Sequence, residues 1–188
     1  MAAEARRAFD AGATVMHCHF RDQRPGMGFL PTWDPDVVAE ICDAIRAACP
    51  GVHAQPQHGG GRARHQRTGK ACLERVRPEM AALNAGSLNY LKLKANGEWA
   101  WPPMLFDNPV EKVTAFLEVM NPLGIVPECE CFDTGILRSV VMFEQARLLH
   151  RPVHVSLVMG VASGMPAKAS WLPLLLEEMS PGMPGRPS

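Results

Sequence analysis

The sequence has no net charge, because 19 lysines and arginines balance 19 aspartates and glutamates. A basic excess of the kind that draws nucleic acid or an acidic membrane surface is therefore absent, and neither partner is expected. No run of apolar residues approaches the ~18 that a membrane-spanning helix requires, so no span is expected either. The six cysteines, Cys18, Cys42, Cys49, Cys72, Cys129 and Cys131, form no Cys-x-x-Cys pair. With no secretory leader evident, they are expected as reduced, mostly buried thiols of a cytoplasmic protein. Cys129 and Cys131 share one strand face, a spacing that a zinc knuckle does not use. The arginines of Arg62–Arg67 make a local basic patch but carry no aromatic residue for base stacking. That patch reads as a loop, or at most as a contact for a substrate phosphate or carboxylate.

What is present is enough for a core. The 188 residues are 47% hydrophobic and 20% charged, which suits one ordinary domain or part of a larger one. Residues Ala2–Phe9 read as the end of a helix, and the stretch Ala11–Asp22 (AGATVMHCHFRD) as a turn and strand. Asp34-Pro35 opens a helix that Pro50-Gly51 stops, with Asp34 as cap and Pro35 at the first helical position. Strands are expected at Val52–Gln57, Met80–Asn84, Gly124–Cys131 and Val153–Met159. Helices are expected at Lys70–Arg77, after Asn108-Pro109, over Ile136–Leu149 and over Ala169–Met179, with Leu91–Asn108 as a long connection. This alternation predicts an α/β fold with parallel strands, which either a doubly wound sheet or a (β/α)8 barrel would satisfy.

Polar residues gather at the strand ends. Strand alternation puts His17 and His19 on one face, with Met16, Cys18 and Phe20 on the other. Two imidazoles so placed can close on one metal ion, or can simply be packed and hydrogen-bonded. Later strands deliver Gln55 and Gln57, then Asn84, then Glu128 and Glu130. Glu130 by itself suits a general base, a metal ligand, a binder of a cationic group, or an edge-strand carboxylate. Gly59–Gly61 and the Gly160–Gly164 turn each offer backbone N–H groups to an anion, although many such turns are only turns.

Five segments in order, AGATVMHCHFRD, QPQHGGG, RPEMAALNAGSLNY, PECECFDTG and LVMGVASGMPA, resemble the β-keto acid cleavage enzymes. That family is typified by 3-keto-5-aminohexanoate cleavage enzyme, and the likeness runs from about Ala3 to Leu176. It implies a zinc-dependent (β/α)8 TIM barrel. It also implies a reaction in which a β-keto acid and acetyl-CoA exchange to acetoacetate and a new acyl-CoA. By motif, His17 and His19 match the two histidine zinc ligands. Gln57, Gly60 and Asn84 fall at substrate-contacting positions, and Glu130 matches the polar glutamate that reads the substrate's distal group and is the candidate catalytic residue. Intact relatives are expected to be homo-oligomers.

The likeness has gaps. Gln57-His58 stand where the family often has Ser-Thr, and Ala82 where the typifying enzyme has Thr, so the substrate is expected to differ. His58 reads as a loop histidine. The family's first strand, its last two strands and the third zinc ligand find no counterpart. The expectation is an incomplete barrel of about five β/α units over 1–179, truncated at both ends, with impaired activity and a disordered Pro/Gly tail at 180–188. The alternatives are a non-catalytic product or a subunit that completes its barrel with another chain. A zinc hydrolase barrel is the third, in which His154 would join the ligands.

Overall fold

The computed structural model describes residues 1–56 and 63–179, the side chains of 63–66 excepted. Asp34 accepts hydrogen bonds from the Asp36 and Val37 N–H groups at 3.1 and 3.3 Å, as its place ahead of Pro35 requires. From that cap α2 (Pro35–Ala48) runs until Cys49, and its Val38, Ile41, Cys42 and Ile45 are buried at helical spacing. Ahead of it lie α1 (Ala2–Asp10) and β1 (Val15–Cys18); after it come β2 (His53–Pro56) and α3 (Ala63–Val76). β1 and β2 pair in parallel from Val15 opposite His53 to Cys18 opposite Pro56. The inner face of β1, Met16 and Cys18 followed by Phe20, packs with Ala54 against the apolar stripe of α2.

These elements belong to one compact unit, Met1–Ala82 with Glu118–Pro127. Leu83–Leu117 and the chain from Glu128 on form a second. Its elements include α5 (Thr134–Gln145), which Asp133 caps by accepting from the Ile136 N–H at 2.7 Å. Ile136, Leu137, Val140 and Phe143 line the buried side of that helix, which packs with α6 (Leu172–Glu178). A three-stranded sheet has the order β3 (Met80–Asn84), β6 (Val126–Cys131), β7 (His154–Leu157). β6 and β7 are parallel, with Glu128 opposite His154 and Glu130 opposite Ser156. α4 (Val110–Met120) follows the Asn108-Pro109 dipeptide.

The parallel strands and alternating helices bear out α/β, with the described strands in separate sheets of two, three and two. Two expectations need correction. The stretch read as a long connection, Leu91–Asn108, contains β5 (Met104–Phe106), which pairs antiparallel with β4 (Leu88–Tyr90) just ahead of it. The two strands are too short to show a period, and each carries a ring contact beyond the pairing: Tyr90 stacks on Trp101 at 5.5 Å, and Phe106 meets Phe132 edge-on at 5.5 Å. The backbone of α3 also begins at Ala63, well before Lys70. Ala, Arg and Gln sustain a helix by propensity without an apolar stripe, so periodicity missed its first half, including part of the basic stretch read as a loop.

All six cysteines are buried and free. Burial pushes the Cys18 thiol up to about 11 and those of Cys42, Cys72 and Cys129 up to about 12. Among the described residues no helix is long and apolar enough to cross a membrane.

Candidate active site

The histidine pair stands as strand alternation requires. Met16 and Cys18 are buried while His17 and His19 are exposed on the opposite face, their ring centroids 5.3 Å apart and tilted by 34°. Parallel pairing sets Gln55 opposite His17, and the Gln55 Nε2 atom lies 3.5 Å from His17 Nδ1. Gln55 is 1% exposed, so its amide is anchored while the imidazoles are reachable. Partial burial, then the neighbouring His17 and the Arg21 guanidinium, hold the His19 pKa below the ordinary imidazole value. A neutral imidazole is the form that donates a lone pair to a metal. An open, largely apolar groove of about 470 Å3 runs beside the pair, with Ala5, Ala8 and Ala13 in its lining.

The donor set fits the imidazole part of a catalytic zinc centre, which uses three protein ligands and an open position. Among the described residues no group of three or more His, Cys, Asp or Glu side chains is placed to hold a metal. Asp22, three residues beyond His19, is engaged elsewhere: its carboxylate accepts from Arg24, which holds its pKa below the usual range.

In the second unit Glu130 and Asn84 are buried, at 8% and 7% exposure. Glu130 stands opposite Ser156 across the β6–β7 pairing, and its backbone carbonyl accepts from the Ala85 N–H at 3.3 Å. That bond ties the residue after Asn84 to Glu130. Asn84 Oδ1 is buried and accepts no hydrogen bond from the described residues, an arrangement that suits a bound polar group.

Sequence reasoning missed the support beneath this turn. Asn108 is 3% exposed; its N–H donates to Ser87 Oγ at 2.8 Å and its Nδ2 to the Gly86 carbonyl at 3.3 Å. Lys112, 5% exposed with its pKa lowered by burial, donates to the Asp107 carbonyl at 2.8 Å. The Asn-Pro dipeptide signalled only a helix start, and nothing local marks Asn108 or Lys112 as buried.

Gln57 and Gly60, with His58, Gly59 and Gly61, lie outside the described residues, as does the tail from 180. His154 is the first residue of β7, exposed and opposite Glu128, whereas Ser156 is the β7 residue opposite Glu130. It sits at the start of its strand, not at the carboxyl end where a barrel hydrolase would carry a ligand.

A family model described as beta-keto acid cleavage enzyme matches residues 1–187. The chain belongs to that family. A 3-oxoadipate:acetyl-CoA acetyltransferase of Cupriavidus necator is 33% identical over 160 residues, covering 85% of this chain and 50% of the relative. A 3-keto-5-aminohexanoate cleavage enzyme of Fusobacterium nucleatum is 30% identical over 187 residues, covering 97% of this chain and 61% of the relative. The chain thus spans between half and about three fifths of the length of these relatives. Among solved structures, ObcA bound to oxaloacetate superposes with a TM-score of 0.65 at 24% identity, over 85% of this chain and 36% of that one. At that identity the likeness concerns the fold.

Proposed function

We propose that this chain provides the histidine pair and the buried Asn84 and Glu130 side chains of a zinc-dependent (β/α)8 enzyme that cleaves β-keto acids with acetyl-CoA. In that exchange the bond between the keto carbon and the carboxymethyl carbon of the β-keto acid breaks. The released acyl group moves to the CoA sulfur, and the carboxymethyl carbon takes the acetyl group to give acetoacetate. Support comes from family membership and the activities named for two relatives. The single observation that carries the reading is the exposed His17–His19 face of β1, with Gln55 anchored against it.

His17 and His19 would hold the metal. Bound zinc supplies a Lewis acid that polarises a keto oxygen. Asn84 presents a buried amide whose oxygen awaits a donor. Glu130 contributes a buried carboxylate, in this reading the group that meets the substrate's distal end and the candidate to move a proton. Gln57 and Gly60 are further substrate contacts in this reading. Six thiols without a disulfide suit the cytoplasm.

The test is the full chain incubated with acetyl-CoA, zinc and a panel of β-keto acids, with acetoacetate and new acyl-CoA read by mass spectrometry. The acetyltransferase of Cupriavidus necator run in parallel sets the scale, and turnover here is expected well below it. Glu130→Gln and His17→Ala are expected to abolish what remains. Acetoacetate formation undiminished in both variants would reject the assignment.

A second reading, assembly with another polypeptide to complete a barrel, is favoured by one observation. Among the described residues β1 pairs on one side only, with β2. Mass in solution, by light scattering, distinguishes a monomer from a complex, and a strict monomer would reject it.

A further inference from the structure

The Gly160–Gly164 turn is built more firmly than a simple connection needs. It leaves β7 three residues after Leu157 and folds back on itself. The Gly160 N–H donates to the Met165 carbonyl at 2.9 Å, and the Gly164 N–H to the Val161 carbonyl at 3.1 Å. The Met165 N–H reaches the Phe132 carbonyl at 2.7 Å, just past the end of β6. On the other side Ser163 Oγ accepts from the Leu91 N–H at 3.1 Å and donates to the Asn89 carbonyl. Ser163 is held at φ +59°, a left-handed conformation that L residues seldom adopt.

Within this frame the N–H groups of Val161, Ala162 and Ser163 have no acceptor among the described residues. Successive backbone N–H groups left unbonded in a turn are the donors that line anion-binding concavities. Ala162 and Ser163 border an open cleft of about 390 Å3 whose lining also includes Leu91, Lys92, Leu93 and Gly160. That lining contains a lysine and no carboxylate. The Lys92 ammonium sits 6.0 Å from the centre of the Trp101 ring, which stacks on Tyr90. Crevices beyond the carboxyl ends of parallel strands are where α/β folds place phosphorylated ligands.

We propose that Lys92 and the 161–163 backbone form a phosphate cradle, and that its ligand is the pyrophosphate group of coenzyme A. The identity of the ligand rests on the acetyl-CoA reading above; the cradle itself rests on the turn and the lysine. The pyrophosphate would accept from the turn's N–H groups while Lys92 balances its charge. Lys92 would then contribute through charge and the turn through fixed donors.

Calorimetric titration of the full chain with inorganic pyrophosphate and with coenzyme A tests this, for the natural protein and two variants. Lys92→Glu reverses the charge at an exposed residue. Ala162→Pro deletes one N–H at the second position of a turn, where proline is tolerated. Circular dichroism melts of both variants show whether the fold is kept. Both ligands are expected to bind the natural chain, about tenfold or more weaker in Lys92→Glu, with affinity falling as salt rises. In Ala162→Pro the loss should be smaller and less salt-dependent. Coenzyme A bound equally well by all three folded proteins overturns the cradle and leaves the acetyl-CoA reading standing. Pyrophosphate bound in a Lys92-dependent way without any coenzyme A binding keeps the anion site and rejects coenzyme A as its ligand. Failure of the natural chain to bind either ligand overturns the cradle.

Discussion

His17 on β1 and Gln55 on β2 face each other across a parallel pairing, with Nδ1 of one 3.5 Å from Nε2 of the other. The partner at Nδ1 decides which ring nitrogen carries the proton, and hence which can meet a metal. A Gln55 amide turned oxygen-first would accept from Nδ1–H and orient Nε2 as the ligand atom. In the proposed zinc site the buried glutamine would act on the metal through the exposed histidine.

Zinc content follows from that pairing. On the proposed zinc site, the natural chain is expected to keep zinc through dialysis and His17→Ala to lose it, measured by elemental analysis. Gln55→Leu should keep the fold and weaken zinc by about 10–100-fold in chelator competition, the usual effect of removing a ligand's hydrogen-bond partner. Equal zinc content in His17→Ala and the natural chain would remove the histidine pair from the site.

Asn84 offers a way to separate function from stability. Its buried Oδ1 is unsatisfied by the described residues, so its removal relieves a desolvation cost. Asn84→Leu is expected to leave the urea midpoint unchanged or raised by up to about 1 kcal/mol of stability, while substrate turnover falls at least tenfold. A large loss of stability with unchanged turnover would make Asn84 a core residue only.

Two glycines stand where a methyl group does not fit. A Cβ on Gly164 would lie 2.9 Å from the Phe132 backbone oxygen, and one on Gly86 would lie 2.8 Å from Ile136 Cγ1. A side chain can turn aside, but a backbone carbonyl held in a hydrogen bond cannot. Gly164→Ala is therefore expected to cost about 1–3 kcal/mol in urea unfolding, and Gly86→Ala less. The reverse order would show that the turn after β7 is pliable.

The thiols make a pH prediction. Their raised values mean that at pH 8 only about one Cys18 in a thousand is thiolate, and fewer at Cys42, Cys72 and Cys129. Iodoacetamide should label the native chain slowly and all six cysteines rapidly in urea. Above the ordinary thiol value of 9.0 the unfolded chain releases these protons first. Stability is therefore present below pH 9 and declines as the pH climbs towards 11–12. Fast native labelling at Cys18 or Cys42 would contradict the burial assigned to them.

The sequence by itself determined what local chemistry decides. Asp34-Pro35 capped a helix because the side chain reaches N–H groups two and three residues on. MHCHF split into a buried and an exposed face because strand side chains alternate. Five ordered segments were enough to place the chain in its family. Only the tertiary structure decided the rest, because it depends on which distant segments meet. Gln55 became the partner of His17 through the register of two strands separated by a helix. Asn108 and Lys112 became buried supports because residues 86 and 87 fold over the start of α4. Ser163 was tied to Leu91 and Asn89 across more than 70 residues of chain, which no local pattern encodes. A hydrogen bond between remote backbone groups depends on the geometry of packed elements, so it leaves no periodicity or composition signal to be read in advance.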